Sequence, residues 1–246
     1  MTLRDALEER GRWLFRHRSH LPLLLTPVFL TALADSPGAP SGRMADWLWA
    51  AASLAIAFGG LAVRAATVGF VPAKTSGRNT AGQVAAELNT TGMYSILRHP
   101  LYLGNVIAMT GVTLFFRRWW LVAIVLLAFG MYYERIMLAE EAFLRERFGH
   151  AFEAWAARVP AIIPNLRLWR APALPFSWRA VIRREYHGVA AIFAALAGLQ
   201  GLSDVAVQRR LVLDPLAMSY AAAGGLVFIS CRVLSKHTTV LRVQGR

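Results

Sequence analysis

Apolar and polar residues alternate along this chain in long blocks. Six blocks are dominated by apolar positions: Leu21–Ala34, Trp47–Val71, Leu101–Phe116, Trp119–Leu138, Gly188–Leu202 and Leu216–Leu234. A helix rises about 1.5 Å per residue and a hydrocarbon core is roughly 30 Å thick, so a block of about 20 residues spans it. Trp47–Val71, Trp119–Leu138 and Leu216–Leu234 are of that length. Leu21–Ala34 has only 14 residues and contains Pro22 and Pro27, so it is expected to be tilted, incomplete or extended back toward Trp13. Gly188–Leu202 is also short. Pro100 suits the first turn of a helix running into Leu101, where a missing N–H is no loss. Arg117 and Arg118 alone separate the third block from the fourth, which predicts a tight antiparallel hairpin.

Two stretches outside these blocks have patterns of their own. In Ala139–Val159 the apolar residues Leu144, Phe148, Phe152, Trp155 and Val159 recur every three or four positions, so they form one helical face. This predicts an amphipathic helix at the membrane surface, broken near Gly149 and ended by Pro160 and Pro164. Ala171–Arg184, rich in Pro, Trp and Arg, reads as a connector to a second membrane unit. The expected organisation is a charged N-terminal segment with two spans (1–71), a core with a helical hairpin and the amphipathic helix (72–170), and a connector with two further spans (171–246). The fold class is therefore all-α, a polytopic integral membrane helical bundle of about six spans.

Composition supports this reading: 56% of the 246 residues are hydrophobic and 17% are charged. The net charge of +13 would point to nucleic acid in a soluble chain, but here the basic residues lie between apolar runs and form no single stripe. Loops on one side of the expected topology carry 19 Lys or Arg against 5 on the other. That bias places both termini, and the loops around residues 72–100 and 139–187, in the cytoplasm. Met1–His20 is charged and unlike a cleaved signal peptide. The lone Cys231 lies in an apolar run and is expected to be a small buried hydrophobe. His17 and His20 have no further clustered ligands, so no metal site is expected. Gly59-Gly60 and Gly224-Gly225 suit close helix packing.

The candidate chemistry lies in Leu88–Asn105, which places Tyr94, Arg98, His99 and Tyr102 at the start of an apolar span. Ionisable groups there are expensive and mark a site. Glu140 and Glu141 follow at the far end of the next span, and a hairpin brings the two clusters together. The ordered set Gly92-x-Tyr94, Arg98-His99-Pro100-x-Tyr102-x-Gly104, Glu140-Glu141, Phe148-Gly149, Val159-Pro160 and Pro164 resembles the isoprenylcysteine carboxyl methyltransferase and phospholipid methyltransferase superfamily.

The resemblance implies a membrane enzyme that uses S-adenosylmethionine in a cytoplasmic pocket. It points to Tyr94, Arg98, His99, Pro100, Tyr102, Gly104, Glu140 and Glu141 around the cofactor. Arg98 could pair with the cofactor carboxylate, and Glu140 or Glu141 could accept from its ribose or amino group. A tyrosine ring could face the sulfonium, and Gly104 could admit the cofactor or a neighbouring helix. The implied acceptor is lipophilic (a lipid headgroup, a lipid-linked carboxylate or phosphate, or an isoprenylcysteine-like acid), and the arginine- and alanine-rich composition suggests a bacterial inner membrane. Arg158 and the Arg183-Arg184-Glu185 run sit where its headgroup could dock, and the catalytic set is read as Arg98, Glu141 and Arg184. Arg64, inside the second span, is either a substrate contact or a partner for Glu134. Each residue also has a plainer role: phosphate-facing arginines, interfacial tyrosines, solvated glutamates. An NADPH-dependent reductase of related fold and a non-enzymatic accessory protein are the competing functions. The chain continues some way beyond Pro164, and the extra spans would line a cavity or mediate association.

Overall fold

The computed structural model describes residues 2–18, 20–34, 44–72, 75, 84–208, 214–243 and 245. Among these residues the regular secondary structure is all helical, joined by turns and irregular segments. The helices are α1 (Leu3–His17), α2 (Thr26–Ala34), α3 (Met44–Val68), α4 (Met93–Ile96), α5 (Pro100–Leu114), α6 (Trp119–Phe148), α7 (His150–Ala156), α8 (Trp178–Gln208) and α9 (Pro215–His237). The chain is an integral membrane helical bundle. Three helices are long and apolar enough to cross a membrane: Trp47–Val68, Trp119–Phe148 and Pro215–His237. Leu23–Leu33 and Pro100–Leu114 are shorter apolar helices. The expected span Gly188–Leu202 is the later part of α8, whose first turns carry Arg179, Arg183, Arg184 and Glu185. Basic loop residues used in the topology argument, Arg43, Lys74, Arg78, Arg209 and Arg210, lie outside the described residues, as does the terminal Arg246.

The charged N-terminal segment is itself a helix. Thr2 and Asp5 form a reciprocal capping box that satisfies the first free N–H groups. The helix docks on α6 with Gly11 against the Arg135 carbonyl, and Phe15 is buried in the core.

The closest seam joins α3 to α5, which run antiparallel. A Cβ on Gly60 would meet the backbone at Gly104 and Ala108, and one on Gly111 would meet the backbone of Ala57 and Ser53. Trp49 Nε1 donates to the Leu114 carbonyl at 2.8 Å at the far end of the seam. α6 folds back along α5 after the turn at Arg117, where φ is +55°, so the expected hairpin is present. α8 packs against α3, and α9 covers α8, with Gly224 close to Phe193 and Ala190. Within each glycine pair one member does the close packing. A Cβ on Gly59 or Gly225 would meet nothing within 4 Å.

One predicted element has a different form. Residues 139–148 continue α6 as one 30-residue helix, and the break falls at Gly149, where φ is +52°. Past the break, α7 turns its apolar face inward. Phe152, Trp155 and Val159 are buried with Leu88, Tyr94, Leu144 and Phe148 around them. The periodicity was a true helical face, but protein covers it. Periodicity reports that a face is buried and does not say by what.

Candidate functional site

A glycine and a proline set the backbone that carries Arg98 and His99. Gly92 has φ +57°, a conformation open to glycine, and starts the single turn of α4. Leu97 is then extended and fully buried, and Pro100 opens α5. The returning chain braces this segment through backbone hydrogen bonds. Arg98 N donates to the Pro160 carbonyl at 2.9 Å, Asn165 N to Ile96 at 3.0 Å, and Gly92 N to Arg170 at 3.0 Å. Ser95 Oγ accepts from Arg170 N at 2.9 Å. Residues 160–170 therefore wrap the site before the chain passes through the connector into α8.

The α5–α6 hairpin then joins the two polar clusters. His99 Nε2 lies 3.0 Å from Glu141 Oε1, and its Nδ1 lies 3.6 Å from Glu140 Oε2. Tyr102 Oη donates to Glu140 Oε1 at 2.6 Å. Arg98 Nη1 donates to the Ala156 carbonyl at 2.9 Å, and its Nε stands 3.0 Å from Glu141 Oε1 without hydrogen-bond alignment. Trp155 Nε1 donates to the Tyr94 carbonyl at 3.2 Å, which ties α7 over α4.

His99 is buried between two carboxylates. Burial by itself would lower its pKa, but the hydrogen bonds and charges of Glu140 and Glu141 outweigh that and leave it raised. The groups facing it are Glu140 and Glu141 from α6 and Arg98 and Tyr102 from its own segment. A raised folded-state pKa contributes stability that is complete below the unfolded value of about 6.5 and fades as pH rises through the folded value. The thermal midpoint should therefore fall as pH rises above about 6.5 and through the raised folded value, and His99→Gln should flatten that decline. An equal slope in the variant would show that another group is responsible.

One cavity of about 1390 Å³ runs from this cluster into the bundle. Its polar end is lined by Tyr94, Arg98, His99, Pro100, Tyr102, Glu140, Arg183 and Arg184. Its apolar end is lined by Phe29, Met109, Phe116, Phe129, Leu199 and Leu202. Two site residues named from sequence fall elsewhere. Glu141 is not among the lining residues and stands behind His99 and Arg98, holding both. Gly104 faces α3, where a Cβ would lie 2.6 Å from Arg64 Cγ, so the close approach of a neighbouring helix requires that glycine. Arg158, expected near a headgroup, donates to its own helix at Ala154 and borders a separate surface groove.

Arg64 does not pair with Glu134, whose side chain is exposed. Its Nε and Nη2 donate to the two oxygens of Glu185 at 2.7 and 2.8 Å, and its Nη1 donates to Asn105 Oδ1 at 2.7 Å. Asn105 Nδ2 in turn donates to Tyr133 Oη at 3.0 Å. Asn105 and Tyr133 escaped the sequence reading. The available signal was a polar side chain three residues after Tyr102 inside an apolar helix. Among the described residues, no group of three or more His, Cys, Asp or Glu side chains is arranged to hold a metal ion.

The hairpin thus closes the Arg-His-Pro segment onto the paired glutamates within a helical membrane bundle. The phospholipid methyltransferase family model matches residues 48–151, which hold the hairpin and both polar clusters. The chain belongs to the isoprenylcysteine carboxyl methyltransferase and phospholipid methyltransferase superfamily. It is 34% identical over 158 residues to a nickel-cobalt-cadmium resistance protein of Alcaligenes xylosoxydans xylosoxydans, covering 64% of this chain and 70% of that one. It is 34% identical over 127 residues to a cobalt-zinc-cadmium resistance protein of Cupriavidus metallidurans, covering 51% of this chain and 56% of that one. No solved structure matches the chain.

Proposed function

We propose that this chain transfers a methyl group from S-adenosylmethionine to a lipophilic acceptor, with its site on the cytoplasmic side of a bacterial inner membrane. The observation that supports this most directly is the two-ended cavity. Pockets for drug-sized ligands are roughly 300–1000 Å³. A single cavity of about 1390 Å³ with a charged end and an apolar end has room for a polar cofactor beside an amphiphile.

The polar end suits the cofactor. Glu140 faces the cavity with its side chain 26% exposed, and it keeps lone pairs beyond those used by Tyr102. Arg98 Nε is buried without a hydrogen bond. Glu140 would hold the amino or ribose groups, and Arg98 would hold the carboxylate. When bound, S-adenosylmethionine supplies a methyl group activated by its sulfonium. The residues of this chain align and enclose. Trp155 and Tyr94 cover the polar end, and the apolar walls hold the acceptor chain so that its nucleophile meets the methyl in line. The nucleophile–carbon bond forms as the carbon–sulfur bond breaks, and the electron pair leaves on sulfur. An ionised carboxylate or phosphate needs no base for this, whereas an amine must lose a proton.

Five arginines (Arg18, Arg64, Arg98, Arg183, Arg184) and three glutamates (Glu87, Glu140, Glu185) line the cavity, and this excess of positive charge favours an anionic acceptor. Methylating an acidic headgroup would remove a hard-oxygen charge that attracts divalent cations. That chemistry would connect this activity with relatives named for metal resistance.

Calorimetric titration of the protein in lipid nanodiscs with S-adenosylhomocysteine should show saturable binding. Donor carrying a labelled methyl, mixed with a membrane lipid extract, should then yield a labelled lipid-soluble product. A folded protein that ignores S-adenosylhomocysteine but is stabilised by NADPH would move the assignment to the reductase.

A further inference from the structure

We propose that Arg64 is a positioning residue that links helix α8 to the Tyr102–Glu140 arm of the site. This rests on the methyltransferase reading above. The contacts form one path through four helices. Glu185 on α8 takes both arms of the Arg64 fork, and the third donation goes to Asn105 on α5. Arginine only donates, so Asn105 must turn its oxygen toward Arg64 and its NH2 toward Tyr133 on α6. The Tyr133 ring stacks on the Tyr102 ring with centroids 4.6 Å apart and planes 29° apart. Tyr102 Oη then holds Glu140 at 2.6 Å.

Three features separate this path from ordinary helix docking. A charge within a spanning helix is expensive, and two well-packed apolar residues would dock α8 at least as well. Lysine, a single point donor, would carry the same charge but could not grip Glu185 with two nitrogens while holding Asn105. Gly104 leaves the space in which the Arg64 stem crosses α5, since a Cβ there would come within 2.6 Å of Arg64 Cγ. The path also lies where the cavity changes character. Arg64, Asn105, Tyr133 and Glu185 all line it between the charged and apolar ends. Helix α8, beyond the matched family region, therefore reaches the site through a defined set of side chains.

The test compares wild type, Arg64→Lys and the double variant Arg64→Leu with Glu185→Leu in nanodiscs. Each is titrated with S-adenosylhomocysteine and its thermal midpoint is measured. The double variant should remain folded, because no charge is left unpaired, yet bind roughly tenfold more weakly as Asn105, Tyr133 and Tyr102 lose their anchor. Arg64→Lys should show a similar weakening. Wild-type affinity in a folded double variant would overturn the positioning role and leave the methyltransferase reading intact. A folded wild type that does not bind S-adenosylhomocysteine would overturn that reading and this assignment with it.

Discussion

Glu140→Gln is expected to weaken S-adenosylhomocysteine binding by about 10- to 100-fold, with a smaller loss of thermal stability than Glu141→Gln. A hydrogen bond to a charged group contributes about 1.5–3 kcal/mol, and each 1.4 kcal/mol is tenfold in affinity. Glu140 faces the cavity, and its amide replacement still accepts from Tyr102. Glu141→Gln should act differently. Glu141 lies behind His99 and Arg98, with 16% of its side chain exposed, and its charge compensates both. Its loss should lower binding and also destabilise the fold by about 2–3 kcal/mol. That is below the 3–5 kcal/mol of a fully buried pair because solvent reaches this one. Calorimetry beside thermal unfolding separates the two. Equal thermal midpoints for both variants would mean that the neighbouring glutamates are not divided between ligand contact and support.

Gly111→Ala should be, with Gly60→Ala, among the most damaging single-methyl changes on the α3–α5 seam. Its Cβ would run into the backbone of Ala57 and the Ser53 carbonyl, which cannot rotate away as a side chain can. The helices must part, at an expected loss of about 1–3 kcal/mol or more. Separation would also carry His99 and Tyr102, at the other end of α5, away from α6, so the site should weaken with the fold. Gly59→Ala, one residue before Gly60 on α3 but facing away from the seam, is the control, because a Cβ there meets nothing within 4 Å. Replacing glycine, a poor helix former, with alanine, the best, should leave it neutral or slightly stabilising. Comparable folded yield for Gly111→Ala and Gly59→Ala in detergent would show that the seam yields more readily than its backbone contacts indicate.

The site was legible in the sequence to an uneven depth. Arg98, His99 and Tyr102 stand within five residues, and the two-residue turn at Arg117-Arg118 forces the next span back along the first. Both facts are local, and together they bring His99 to Glu141. The division of labour between Glu140 and Glu141 was not legible, because adjacent residues of a helix point about 100° apart and only the neighbours decide which one meets the cavity. Arg64 shows the same limit over a longer range. Its partner Glu185 lies 121 residues away. Glu134, exposed on α6, was equally plausible by charge. Gly104 belonged to the family pattern, but its neighbour proved to be the Arg64 stem.

By itself the sequence determined that this is a helical membrane protein and which hairpin carries its polar clusters. Long apolar blocks can bury their backbone only as helices in a bilayer, and a two-residue turn leaves one way to return. It also determined that residues 144–159 carry one apolar face. Tertiary structure decided what that face touches, and it packs α7 over Tyr94 instead of onto lipid. Tertiary structure also joined α8 to the site, through an ion pair between residues that no local spacing relates. Burial and charge can be read along a chain because they depend on residue type. Partners cannot, because they depend on where distant helices meet.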